Sequence, residues 1–111
     1  GEHWVARALR QRGWEIVARN WRCEYGELDL IALDGDTLVV IEVKTRRSRT
    51  FGWPEEAVSP TKAKHLRRAG QAFLTQQGWC GPWRIDVVSV ERDGAGRWVV
   101  HWLENAIQDE S

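Results

Sequence analysis

The stretch Gly26-Glu27-Leu28-Asp29-Leu30-Ile31-Ala32-Leu33-Asp34-Gly35-Asp36-Thr37-Leu38-Val39-Val40-Ile41-Glu42-Val43-Lys44 reads as two apolar strands around an Asp-Gly turn. Strand side chains alternate between faces, so Glu27 and Asp29 share one face of the first strand. Glu42 and Lys44 share one face of the second. With Gly35-Asp36 at the centre of the turn, Asp29 lies opposite Glu42 and Glu27 opposite Lys44. With Asp34-Gly35 there, Glu27 lies opposite Glu42 and Asp29 sits one diagonal step away. Both registers put all four residues on one face, and only an odd-length loop or a bulge separates them.

Directly opposed Cβ atoms are about 5 Å apart, where like charges are destabilising. Val, Ile and Leu on either side desolvate the carboxylates and strengthen their repulsion. A hard divalent cation such as Mg²⁺ resolves the conflict, because it takes carboxylate oxygens together with water. The backbone carbonyl of Val43 is a further candidate ligand. An ordinary reading stands beside this one: Glu27 pairs with Lys44 across the strands, while Asp29 and Glu42 reach solvent on a half-exposed face.

The chain has 111 residues, is 42% hydrophobic and 29% charged, and reads as a single domain over residues 1–111. No apolar run is long enough for a membrane span, and no signal-peptide pattern opens the chain. Cys23 and Cys80 are far apart and lack a Cys-x-x-Cys or His-rich partner, which reads as reduced thiols in a cytoplasmic protein. The formal charge is zero, yet residues 44–68 hold eight basic residues against two acidic ones, a local +6. Zero net charge argues against a purely electrostatic nucleic-acid coat, and a basic patch beside acidic residues suits a phosphate-handling site.

Around the hairpin the remaining elements follow in order. Residues 2–12 read as a helix with an apolar stripe of Trp4, Val5, Ala8 and Leu9, ended by Gly13. Residues 14–21 read as a strand. Residues 45–54 read as an irregular basic loop carrying Arg46, Arg47 and Arg49. Ser59-Pro60 start a long helix as N-cap and first residue. Leu66, Ala69, Gly70 and Phe73 form its buried stripe, and Lys64, Arg67, Arg68 and Gln71 face the other way. Its N-terminus with Lys62 suits a bound phosphate, whereas Arg68 and Gln71 read as a solvated face. Residues 84–90 and 98–103 read as strands joined by a turn at 92–96. Asp86 is expected to be hydrogen-bonded or paired with a base. Of the eight Trp residues, Trp4, Trp14 and Trp21 are assigned to the core. Trp53 and Trp83, read as loop residues, are candidates for stacking on nucleobases.

Asp29 with Glu42-Val43-Lys44 resembles the motif of the PD-(D/E)XK nuclease superfamily. The wider pattern is similar to the YraN-like family of bacterial proteins, through residues 1–2, 18–22, 26–32, 43–46, 57–62, 86–88 and 104–106. The resemblance implies a restriction-endonuclease-like α/β core, with a central mixed five-stranded sheet flanked by helices. It implies a Mg²⁺- or Mn²⁺-dependent endonuclease on DNA, including branched or damaged DNA, working as a homodimer because junction cleavage needs two sites. By likeness to archaeal Holliday-junction resolvases, Glu2, Asp29 and Glu42 would be metal ligands and Lys44 would orient the attacking water. Arg46, Arg47, Arg49, Lys62, Lys64 and Arg67 would contact nucleic acid. A nuclease-fold module without turnover, binding nucleic acid or a protein, is the rival expectation.

Overall fold

The computed structural model describes residues 2–46 and 58–107, which form α1 (Glu2–Gln11), β1 (Glu15–Cys23), β2 (Gly26–Asp34), β3 (Thr37–Arg46), α2 (Pro60–Gln77), β4 (Trp83–Arg92) and β5 (Trp98–Leu103). The strands make one sheet in the order β1-β2-β3-β4-β5. β3 runs antiparallel to β2 and parallel to β4, so the sheet is mixed. A parallel pair needs a long crossover, and α2 lies within that connection. The α/β arrangement agrees with the expected core: a meander, a long helix and a closing hairpin.

Each face of the sheet carries one helix. Val5, Ala6 and Leu9 of α1 pack on Leu30, Ala32, Val39, Ile41, Val88 and Val90. On the opposite face Leu66, Ala69, Phe73 and Leu74 of α2 pack on Ile31, Leu38, Val40 and Ile85. β3 supplies both clusters, odd residues to one and even residues to the other, as a strand buried on both sides must.

The helices obey their sequence signals closely. Ser59 Oγ accepts the Lys62 N–H at 3.1 Å, Pro60 is the first residue of α2, and Gly78 ends it with φ +65°. The buried stripe of α2 contains the four expected residues and also Leu74. In α1 the buried face is rolled relative to expectation. Ala6 is buried, whereas Trp4, assigned to the core, is 49% exposed. The small Ala6 lets the helix lie close to the sheet, a position the Trp4 indole is too large to take. Trp14 and Trp21 do pack on the two clusters, and Trp21 meets Phe73 edge-on with centroids 5.2 Å apart.

Trp83 is not a loop residue. It opens β4 and lies over α2, with ring carbon Cζ3 2.7 Å from where a Cβ at position 70 would sit. Gly70 is therefore the residue that admits the ring. Trp53 lies outside the described residues.

Asp86 is fully buried and fully partnered, as expected. Arg84 Nε donates to Oδ1 at 3.0 Å, Trp102 Nε1 to Oδ2 at 2.9 Å, and the Asn105 N–H to Oδ1 at 2.8 Å. The carboxylate thus ties β4 to β5 and to the segment after it. Removing one partner of a buried pair strands the other charge, at about 3–5 kcal/mol. Asp86→Ala is expected to lower unfolding stability by that amount in urea titrations, and Asp86→Asn by less, because the amide oxygen still accepts a hydrogen bond. Equal stability of wild type and Asp86→Ala would remove this carboxylate from the account of the fold.

Candidate functional site

The hairpin takes the first of its two registers: Asp34 pairs with Thr37 and Leu30 with Ile41. The ladder stops there. Continued by one step it would set Asp29 opposite Glu42, and by a second step Leu28 opposite Val43. In place of that second step the Val43 N–H donates to Asp29 Oδ2 at 2.8 Å. A side-chain oxygen has replaced the strand carbonyl as acceptor.

The cause is a break in the pleat shared by β1 and β2. Leu28 packs on the α2 side and Leu30 on the α1 side, although residues two apart on a regular strand share a face. Opposite them Arg19 pairs with Leu30 and Trp21 with Leu28, while Asn20 between them has φ +50°. Asn is among the few residues that adopt this left-handed conformation readily. A further shift lies between Ile16 and Ala18. The lone Asn within an apolar strand pattern was the available signal for the distortion.

The same break overturns the expectation that all four charges share a face. Leu28 turns toward α2, so its neighbour Glu27 turns away. Glu27 pairs with Arg22 across β1–β2, Nε to Oε2 at 3.3 Å, instead of with Lys44. Asp29 and Glu42 stay together, close enough that each carboxyl bears on the other's charge. The ordinary reading, in which both reach solvent, fails for Glu42, which is 3% exposed.

Lys62, in the first turn of α2, sets its Nζ 3.2 Å from Glu42 Oε2. The ammonium is not aligned to donate a hydrogen bond, and that buried oxygen has no such partner among the described residues. Lys62 is therefore turned onto the acid instead of being presented outward. Lys44 follows Glu42 on the same face, half-buried, beside the buried Ser89 of β4. Lys64 is exposed and Arg67 half-buried on α2. Glu2 heads α1, on the opposite side of the sheet from α2, and Arg46 ends β3. The side chains of Glu2 and Arg46, and all of Arg47 and Arg49, lie outside the described residues. Among the described residues no group of three His, Cys, Asp or Glu is placed to hold a metal ion.

Burial is the largest effect on Asp29, and the Glu42 carboxyl beside it the next. Together they push its carboxyl from 3.8 up to about 7, against the pull of the Val43 N–H and of Lys62. The native state therefore keeps a proton that the unfolded chain releases above pH 3.8. The stabilisation from that proton is complete below the unfolded value and is lost as pH rises through about 7. In chelator-treated protein the urea midpoint should fall between about pH 4 and about pH 7 and level off above, and Asp29→Asn should flatten that fall. Parallel pH profiles for the two proteins would refute the assignment.

The sequence pattern of the "Uncharacterised protein family UPF0102" matches residues 1–90 of this chain. A UPF0102 protein of Nocardia farcinica is 52% identical over 107 residues, spanning 94% of this chain and 83% of the relative. One from Pseudarthrobacter chlorophenolicus is 46% identical over 109 residues, spanning 97% and 83%. One from Caldicellulosiruptor saccharolyticus is 46% identical over 91 residues, spanning 81% and 77%.

Proposed function

We infer that this chain, which belongs to the UPF0102 family, is a divalent-metal-dependent DNA endonuclease of the cytoplasm. Its substrates include branched or damaged DNA, on which two copies act together, one site for each strand cut. The observation that carries this reading is the half-buried Asp29 set against the buried Glu42, with one Glu42 oxygen lacking a hydrogen bond and Asp29 pushed to about 7. Perturbed carboxylates of this kind gather at functional sites more than elsewhere.

The donor set fits Mg²⁺ or Mn²⁺, both of which take carboxylate and carbonyl oxygen. Asp29 and Glu42 would hold the ion; the nuclease resemblance adds Glu2 as a third carboxylate, although α1 starts on the other face of the sheet from α2. When bound, such an ion polarises the phosphoryl group and makes its bound water more acidic. Asp29 must release its proton to serve as a ligand, so loading strengthens as pH rises toward and past 7. Lys44, on the face of Glu42, orients the attacking water and offsets the charge that grows on the phosphoryl oxygens. Water adds to phosphorus and the bond to one ester oxygen breaks, leaving a phosphomonoester and a free hydroxyl. Lys64 and Arg67 offer cationic groups for the flanking phosphates, together with Arg46, Arg47 and Arg49, and Lys62 would join them once a bound ion takes its place on Glu42.

A second reading rests on the Lys62–Glu42 pair at 3.2 Å. The ammonium already offsets one acid without a metal, as suits a nuclease-fold module that binds nucleic acid or protein without turnover.

Incubation with linear, flapped and four-way DNA, with and without Mn²⁺ or Mg²⁺, separates the two. The nuclease reading expects metal-dependent cutting that falls by about 100-fold or more in Lys44→Ala and in Asp29→Asn. Intact DNA throughout, with no Mn²⁺ bound in titration calorimetry, would leave the binding module.

A further inference from the structure

A cleft of about 490 Å³ opens between the β1–β2 turn and the outer face of α2, lined by Glu24, Tyr25, Arg68, Gln71, Thr75 and Gln76. It is a shallow depression open to solvent, long enough to take a flat ring against its wall. None of these residues belongs to the acidic pair or to the basic residues assigned to phosphates, and Arg68 and Gln71 are the two that the sequence reading set aside as solvated.

The chemistry of the lining is specific. Tyr25 packs against the α2-side core cluster, so its ring is held in place at little further entropic cost. The Arg68 guanidinium carbon lies over that ring, 6.0 Å from its centroid. Arg68 is exposed, so its guanidinium is free to swing aside and let a flat ring stack on Tyr25 with the cation against its other face. Glu24 offers an acceptor for an exocyclic amino group, and the Gln71 and Gln76 amides offer both donors and acceptors. Thr75 Oγ1 is already committed to the Gln71 carbonyl at 3.0 Å. Two planar stacking groups edged by amides and a carboxylate match a nucleobase, which is recognised by stacking and by its polar edge.

The position fits as well. β2 and β3 are antiparallel, so the turn before β2 lies at the same end of the sheet as the C-terminal end of β3, where the acids sit. Tyr25 is four residues before Asp29, and Arg68 is six residues after Lys62 on α2. At 1.5 Å per residue, six residues of helix span about 9 Å. A strand rising about 3.4 Å per base covers that distance in two to three nucleotides.

We propose that the Tyr25–Arg68 cleft is a nucleobase subsite, which holds one unpaired base of a DNA strand two to three nucleotides from the Asp29–Glu42 acids. The inference rests on the nucleic-acid reading of that neighbouring site. It also makes that reading more specific, because only a single-stranded, flapped or frayed segment presents a free base.

The test is equilibrium binding of a fluorescent short oligodeoxycytidylate, whose bases carry an exocyclic amine, in chelator, beside the same strand built from abasic units. Chelator removes turnover, so the result does not depend on whether the acids cleave DNA. Wild type is expected to prefer the strand with bases by about tenfold. Arg68→Ala, and Tyr25→Leu as a ring-free side chain that still covers the core, should each remove most of that preference while leaving abasic binding unchanged. Gln71→Ala should lower it in part. Equal affinity of wild type for the two strands, no binding of either, or Tyr25 and Arg68 variants that keep the preference would overturn the subsite. Base-dependent binding without metal-dependent cutting would uphold it and sink the hydrolytic reading alone.

Discussion

One hydrogen bond organises the end of the sheet where the acids meet: the Val43 N–H to the Asp29 carboxylate, 2.8 Å long, at the point where the β2–β3 ladder stops. Were β2 regular, a carbonyl would take that proton and Asp29 would follow the alternation to a face of the sheet. Because the pleat breaks beside Asn20, the side chain is drawn to the β3 backbone and held beside Glu42. The strand gives up regular pairing, and the chain gains a carboxyl fixed between two strands without any loop to move it. Sites built on strands hold their geometry more closely than sites on loops.

The protein treats the acids on its central strands in opposite ways. Asp86, on β4, is surrounded by Arg84, Trp102 and the Asn105 N–H, and its oxygens are all occupied. A group so thoroughly paired is structural: it joins strands and has nothing left to offer a ligand. Asp29 and Glu42 carry the reverse burden. They crowd one another, one oxygen is left without a hydrogen bond, and the only cation placed on Glu42 among the described residues is the Lys62 ammonium. Such a pair costs the fold stability, and a ligand that binds the native state recovers it.

The two helices divide the work. α1 closes one face of the sheet with small and branched side chains, and Ala6 sets how near it comes. α2 closes the other face and at the same time brings cationic residues to the acids through Lys62 and a stacking partner to Tyr25 through Arg68. The acids and the cleft are thus served by one rigid helix whose register against the sheet is locked by Gly70 beneath Trp83. A shift of α2 along its axis would disturb both sites together.

Most of the fold was legible in the chain. The Asp-Gly turn with its apolar flanks, the Ser59-Pro60 start and the Gly78 stop state local preferences strong enough to survive in the whole, and the element order follows from them. That Asp29 and Glu42 lie near one another was legible too, since a two-residue turn leaves few registers, but the contact itself is made through the broken pleat and not through regular alternation. Three things were not. The departure of Glu27 needed a strand distortion that depends on Asn20, a residue on a different strand. The exposure of Trp4 depended on how closely α1 could approach a sheet made of distant residues. The placing of Lys62 on Glu42 and of Arg68 over Tyr25 joined residues about 20 and 43 positions apart, through the docking of α2. Sequence pattern determines which face a residue presents within its own element. Only the packing of one element on another decides what that face meets, because the contact is made by side chains with no proximity along the chain.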